Sequence, residues 1–354
     1  MSARRPVFVH VGASKTGTSA LQHGLWDSVE ALGAAGVGVP FVGRQEHVQR
    51  LLRPLGWVGG QGFTRDVDVP RVTSLVEVLR STPGDRLLIS NEDLAECTPA
   101  QVTAFSEVAD AAGLDVHVVL TARDWAKQLP SEWQQFLKHR LTTDYPTFLD
   151  EVRERSSVIA EQFWMRQDVL DICTRWGAGL DPARVHVIPV PPMRVDPDHV
   201  FRSFGSVVGY DPAVITLPGF DVNASFGYVE AEVLRRLNVA LGKRLPDYRA
   251  DYLPAIRRTL VQKVLARQAS ARLTLPPEHL GWVRDLAQQR MEEVTARGYS
   301  IHGDPAMLVP GPDAAAPMPE LDEAEVAASA IKTLADFAVR IHKNRPSGGP
   351  ASDA

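Results

Sequence analysis

The run Val7-Phe8-Val9-His10-Val11 is apolar but for one histidine and reads as a short buried strand. A turn-rich loop follows over residues 12–17, and then Leu21, Leu25, Val29 and Leu32 recur at helical spacing until Gly33. Further strand-like runs at 37–42, 86–90, 116–121 and 185–190 alternate with helical patterns at 72–79 and 99–112. This alternation predicts an α/β fold of three layers, with a central, mainly parallel sheet between two sets of helices.

Beyond residue 195 the strand signals stop. Helical patterns at 200–208, 229–241, 253–267 and 280–297 predict a helical C-terminal lobe. A Pro/Ala-rich stretch at 310–319 reads as a linker. After it, Ala327, Ala330, Ile331, Leu334, Phe337, Ala338 and Ile341 trace one face of a helix expected to dock on the body. The Pro/Ser/Gly composition of 345–354 predicts a disordered tail. The expected organisation is an α/β core over 1–210, a helical lobe packed on it over 211–309, a linker and docking helix over 310–344, and the tail. No internal repeat is found.

With 44% hydrophobic and 23% charged residues in 354, the chain can bury a sizeable core, which excludes disorder throughout. A net charge of −5 leaves no overall positive field for nucleic acid or an anionic membrane, so any anion must be held locally. Only seven of the 38 basic residues are lysines, which makes each lysine worth locating. Two cysteines, Cys97 and Cys173, without C-x-x-C spacing indicate neither a disulfide framework nor a zinc site. The apolar run at 7–11 is too short for a signal peptide and no window is long enough for a membrane span, so a cytoplasmic, soluble protein is expected.

The loop Gly12-Ala-Ser-Lys-Thr-Gly-Thr-Ser19 stands between the first strand and the first helix, where backbone N–H groups and the helix dipole converge on an anion. The nucleoside-triphosphate form of this loop needs a lysine directly after its second glycine. Here Thr18 fills that position, and the lysine, Lys15, comes two residues before Gly17. A nucleotide kinase or NTPase is therefore the weaker of two enzyme readings. A non-catalytic nucleotide-binding module is a third possibility, and an exposed Gly/Ser/Thr-rich turn is the bland one.

The longer run Val9-His-Val-Gly-Ala-Ser-Lys-Thr-Gly-Thr-Ser-Ala-Leu-Gln22 resembles the 5′-phosphosulfate-binding loop of sulfotransferases, typically K-T-G-T-[TS]-x-L-Q. The Ser14 position is often proline in such loops. The resemblance covers about residues 5–210 and extends to bacterial members in the segment 275–283. It implies a P-loop-type fold and 3′-phosphoadenosine 5′-phosphosulfate (PAPS) as co-substrate, with Lys15, Thr16, Gly17, Thr18 and Ser19 on the 5′ side. A sulfuryl group carries about one negative charge where a terminal phosphate carries nearly two, so a lysine and backbone donors can replace a metal. No metal is then expected.

A second motif follows the strand at 116–121, Arg123-Asp-Trp-Ala-Lys-Gln-Leu-Pro-Ser131. In the resemblance, an arginine at a strand end and a serine eight residues later hold the 3′-phosphate, which assigns Arg123 and Ser131. Ser131 follows Pro130 and precedes Trp133, Phe136 and Leu137, so it is expected to begin a helix. Sulfuryl transfer to an alcohol also needs a base, worth roughly 10²–10⁴-fold. Glu92, just past the strand at 86–90, is the candidate; a helix cap or an ion pair is its structural alternative. His10 is the rival base, although a core histidine fits its position, and Trp133 either lines an acceptor cleft or packs in a core. The implied partner is a hydroxyl acceptor (small molecule, glycan or glycolipid), whose identity and the oligomeric state stay unread.

Overall fold

The computed structural model describes residues 4–59, 62–192, 195–216, 226–268 and 270–343. Among these, one sheet is built from β1 (Arg5–Gly12), β2 (Val37–Gly38), β3 (Arg86–Ser90), β4 (Leu114–Ala122), β5 (Val185–Pro189) and β6 (Ser300–Ile301). The helices are α1 (Thr18–Asp27), α2 (Val29–Ala34), α3 (Gly43–Glu46), α4 (Val69–Ser81), α5 (Pro99–Ala111), α6 (Trp125–Leu137) and α7 (Tyr145–Glu154). They continue with α8 (Val158–Gln167), α9 (Val169–Trp176), α10 (His199–Val208), α11 (Tyr228–Leu241), α12 (Pro277–Ala296) and α13 (Glu323–Lys343).

The strand order is β2-β3-β1-β4-β5-β6 and every pairing is parallel, so the expected α/β class and parallel sheet are what the chain forms. β1 lies between β3 and β4, with Val9 opposite both Ile89 and Val118. Both faces of the sheet are covered, which is why its strands are apolar at consecutive positions rather than alternating. One face, with Val7, Val9, Val11, Ile89 and Val118, packs against residues of α4, α5, α9 and α12. The other, with Phe8, Leu88, Val119 and Ile188, packs against α1, α2 and α10.

Some elements depart from the expected pattern for visible reasons. The helix expected to run unbroken to Gly33 stops at Asp27, because Ser28 leaves helical geometry and its Oγ accepts a hydrogen bond from Thr216 N at 2.8 Å. β2 is only two residues long, and Pro40, which has no N–H for the ladder, follows it. β6 was not expected: two residues, Ser300 and Ile301, extend the sheet beside His186 and Val187.

By contacts, the described chain divides into two interleaved units. The first holds residues 1–129, 149–222 and 277–315; the second holds 130–148, 223–276 and 316–354. Residues 277–309, expected in the helical lobe, thus group with the sheet. The cause is α12, which lends Met291 and Val294 to the core under β4 and β5, and β6, which completes the sheet. The second unit is helical, built on α11, a π-helical segment Tyr248–Val261 and α13. In it Tyr252 Oη donates to Asn238 Oδ1 at 2.7 Å, and the Asn238 amide donates to the carbonyls of Leu137 and Leu141. Helix α13 docks through Val326 and through Ser329 and Thr333, both hydrogen-bonded to Gln268, rather than through the expected stripe, whose Ile331, Leu334 and Ile341 are exposed. The tail expected over 345–354 lies outside the described residues.

Candidate active site

The parallel sheet directs the carboxyl ends of β1, β3 and β4 to one edge, at the point where the connection from β1 runs to one side, to β2, and that from β3 runs to the other, to β4. Ligands of open α/β sheets bind at such an edge. The loop after β1 is held there by a hydrogen bond from Ala13 N to Thr121 O at 2.6 Å. Lys15 and Gly17 both have positive φ, 65° and 86°, a backbone path that turns successive N–H groups towards one concavity. Gly17 is the N-cap of α1 and has no side chain with which to cap it, so the first-turn amides of α1 are left for an anion.

Beneath the loop lies a buried polar network. His10 is fully buried, with Nδ1 2.7 Å from Ser90 Oγ and Nε2 3.1 Å from Thr121 Oγ1. Thr121 has a single proton, which Thr16 Oγ1 at 2.6 Å and the Gly12 carbonyl at 3.0 Å share as acceptors; with it directed there, His10 Nε2–H donates to Thr121 and Nδ1 accepts from Ser90. Burial holds the His10 pKa down to about 4, against the opposing pull of the Glu92 charge and of a backbone hydrogen bond at Gly12. His10 is therefore a neutral strut rather than a base in contact with solvent. Thr16 joins the same network: its buried Oγ1 donates to the Ala13 carbonyl at 2.7 Å and lies 2.6 Å from Thr121 Oγ1. The Thr16 side chain thus braces the loop, and its backbone N–H is the part that an anion could use.

A second support was not foreseen from the sequence. Gln128 of α6 and Gln167 of α8, both buried, clasp the residue before Lys15. Gln128 Nε2 donates to Ser14 O at 2.8 Å and to Gln167 Oε1 at 2.9 Å, while Gln167 Nε2 donates to Ser14 Oγ at 2.8 Å. Trp125 Nε1 fixes the backbone of Gln167 at 2.9 Å. The available signal was a glutamine three residues after Trp125 on an otherwise apolar helix face.

Glu92 sits directly beside the loop. It opens a 3₁₀ turn, Glu92–Glu96, capped by Asn91, whose own N–H bonds to His10 O at 3.0 Å. Gly12 permits the approach: at φ 116° it adopts a conformation closed to other residues, and a Cβ there would stand 3.2 Å from Glu92 O. The Gln22 amide donates to Glu92 Oε2, so one carboxylate oxygen is fixed by α1. One turn further along α1 stands half-buried Trp26, in an aromatic group with His23, His47 and Phe41 at centroid spacings of 5.5 Å.

Arg123 follows β4, two residues past the Thr121 that anchors the loop, and is half-buried. The structure so brings Lys15, Thr16, Gly17, Thr18, Ser19, Glu92 and Arg123 to one sheet edge. Thr18 is buried in the first turn of α1, and Lys15 and Ser19 are half-buried. Ser131 differs from expectation in its setting. It does not begin a helix; α6 starts at Trp125, where Asp124 caps it by accepting from Lys127 N at 3.2 Å, and Pro130 and Ser131 lie inside it. Ser131 belongs to the second unit. Trp133 is fully buried there, with Nε1 donating to Thr143 O at 3.0 Å and its ring against Tyr145, so it is a core residue.

A cavity of about 250 Å³ is lined by Asp124, Lys127, Met307, Pro310 and Asp313 among others. With two carboxylates to one lysine it does not suit a phosphate. No helix among the described residues is long and apolar enough to cross a membrane.

No family model matches the sequence, and no curated protein matches it. Among solved structures, the chain is similar to a sulfotransferase from Alicyclobacillus acidocaldarius at 16% identity and a TM-score of 0.41. The match covers 68% of this chain and 95% of that one.

Proposed function

We propose that this chain is a PAPS-dependent sulfotransferase acting on a hydroxyl of a small molecule, glycan or glycolipid. The observation that carries the reading is the juxtaposition at the sheet edge: a lysine-bearing anion loop with left-handed Lys15 and Gly17, packed directly against a glutamate held by α1. The loop backbone fits a singly charged sulfuryl group and its 5′-phosphate, because N–H donors and one cation suffice where no doubly charged terminal phosphate has to be neutralised.

When bound, PAPS supplies the activated sulfuryl group. Glu92, with Oε2 fixed by Gln22, accepts the acceptor's hydroxyl proton as its oxygen bonds to sulfur. Lys15 and the amides of Thr16 to Ser19 balance the charge that gathers on the bridging oxygen as the sulfur–oxygen bond to the 5′-phosphate breaks. Arg123 offers a permanently charged fork for the 3′-phosphate, with Ser131 as the second donor carried from the sequence motif.

Thermal-shift measurements with adenosine 3′,5′-bisphosphate and with ATP/Mg²⁺ separate the readings. Stabilisation by the bisphosphate and sulfation of members of a hydroxyl-acceptor panel are expected. A response to ATP/Mg²⁺ alone, with phosphate release, identifies an NTPase instead; bisphosphate binding without any turnover identifies a binding module.

A further inference from the structure

Three half-buried histidines stand side by side across the far end of the sheet: His117 on β4, His186 on β5 and His302 directly after β6. His117 and His186 share the sheet face of Phe8, whose ring centre is 4.9 Å from that of His117 and 6.3 Å from that of His186. His117 Nδ1 is 3.0 Å from His186 Nε2, and His186 Nδ1 is 3.0 Å from His302 Nε2. With ring centres 5.4 and 5.1 Å apart, the rings meet end to end, each contacting nitrogen aimed at the next. A metal ion about 2.1 Å from both nitrogens of one contact cannot lie on the line between them, so the arrangement suits a shared proton.

The number of protons this chain can hold follows from counting its nitrogens. Neutral, the three rings carry three protons. Each of the two contacts needs a single proton between its nitrogens, and the outer nitrogens, His117 Nε2 and His302 Nδ1, can carry one each. Both contacts therefore survive with three protons or with four. The first added proton settles on an outer nitrogen and makes the adjoining contact charge-assisted. The next one must fall inside a contact, where it takes the accepting lone pair and sets two cations end to end.

The surroundings do little to offset that second charge. Burial lowers the pKa of His117, with Arg184 adding to the effect and Asp115 opposing it, and those two residues pair with each other at 3.2 Å. His186 is lowered by burial and by its two histidine neighbours, and His302 by burial. On α10, which packs against β5, His199 is bound to the Pro189 carbonyl at 3.0 Å and Arg202 is paired with Asp196. Asp304, two residues past His302, accepts from Ala306 N at 2.9 Å.

β6 has only two residues, and His302 ties it down twice: its N–H donates to Val187 O at 2.8 Å and its ring ends the imidazole chain. Beyond His302 the 3₁₀ turn Pro305–Leu308 leads to Met307, Pro310 and Asp313 on the wall of the cavity shared with Asp124 and Lys127. We propose that the three histidines form an acid latch on β6 and the segment after it, closed with up to one added proton and opened by the second.

Hydrogen–deuterium exchange of the full chain from about pH 7.5 to about pH 4.5, corrected for the intrinsic rate, tests this. Protection of residues 299–314 is expected to fall by more than about tenfold per pH unit below about pH 5, since opening takes up more than one proton, while β1 stays protected. His302→Gln supplies an amide that can turn to accept from His186 whatever the charge on that ring. It is expected to keep the neutral-pH protection and melting temperature and to lose the acid dependence; His186→Gln, read in the same way, is the independent second variant. Wild-type exchange over 299–314 that is flat with pH overturns the latch. A fall of tenfold or less per pH unit indicates a single titrating group and overturns it too, as does an acid dependence that survives unchanged in either variant.

Discussion

Lys15 and Glu92 divide the proposed chemistry between them, and each can be tested alone. Lys15 is one of seven lysines in a chain that otherwise supplies its positive charge as arginine, and it occupies a left-handed position that shapes the loop as well as charging it. Replacing Lys15 with alanine is expected to lower sulfuryl transfer by about 10²-fold or more, measured as initial rate at saturating donor. Arginine at the same position should not restore the rate, because a planar fork does not substitute for a compact ammonium. Glu92→Gln keeps a hydrogen-bonding partner for Gln22 but removes the proton acceptor. Its kcat is expected to fall roughly 10²–10⁴-fold, while the melting shift given by adenosine 3′,5′-bisphosphate stays at the wild-type value. Loss of both together would mean that Glu92 supports the loop rather than the reaction. These residues were readable from the sequence because loop chemistry is local: a glycine, a lysine and hydroxyls at fixed spacing after a strand. The neutral state of His10 was legible only as the alternation that put it on the inner face with Phe8. Its partners, Ser90 and Thr121, are 80 and 111 residues away, and no local pattern names them.

At the scale of elements, the helices α6 and α8 act on the loop through Gln128 and Gln167. Gln167→Ala removes the amide that donates to the buried Ser14 Oγ and the Oε1 that accepts from the Gln128 amide. A loss of about 1–3 kcal/mol in unfolding free energy is expected from urea titration. Donor affinity should weaken alongside it, since Ser14 immediately precedes Lys15. An unchanged donor KM in a destabilised variant would confine the clasp to stability. Strands at 86–90, 116–121 and 185–190 were visible because buried parallel strands form continuous apolar runs. β6 was not, since two residues of a sheet edge carry no periodicity. The start of α6 is hidden in the sequence because Pro130 resembles a helix-opening signal, whereas Asp124 caps the helix earlier and the proline falls within it. On α13 the periodicity identified the helix correctly, but an apolar stripe says that a face needs cover without saying which surface provides it.

For the molecule as a whole, the response to acid follows from one buried imidazole, His10, and three half-buried ones, His117, His186 and His302. His10 and His186 have pKa values lowered to about 4, and those of His117 and His302 are lowered as well, in each case chiefly by burial. Unfolding restores an ordinary histidine pKa near 6.5, so between that value and about 4 the unfolded chain binds more protons than the native one. Stability is then fully present above about pH 6.5 and declines as the pH falls towards 4, with His10 alone accounting for up to about 3 kcal/mol. Urea titrations at neutral pH and at successively lower values should show this decline, and a His10→Gln variant should show a shallower one. The interleaving of the two units has a consequence for biosynthesis. As the chain leaves the ribosome, β1 to β5 emerge by residue 189, yet Met291, Val294 and the sixth strand follow about a hundred residues later. A nascent chain stopped before residue 277 exposes the flank of β5 and the apolar surface that α12 covers, so the sheet unit cannot finish folding vectorially and must wait for nearly complete synthesis.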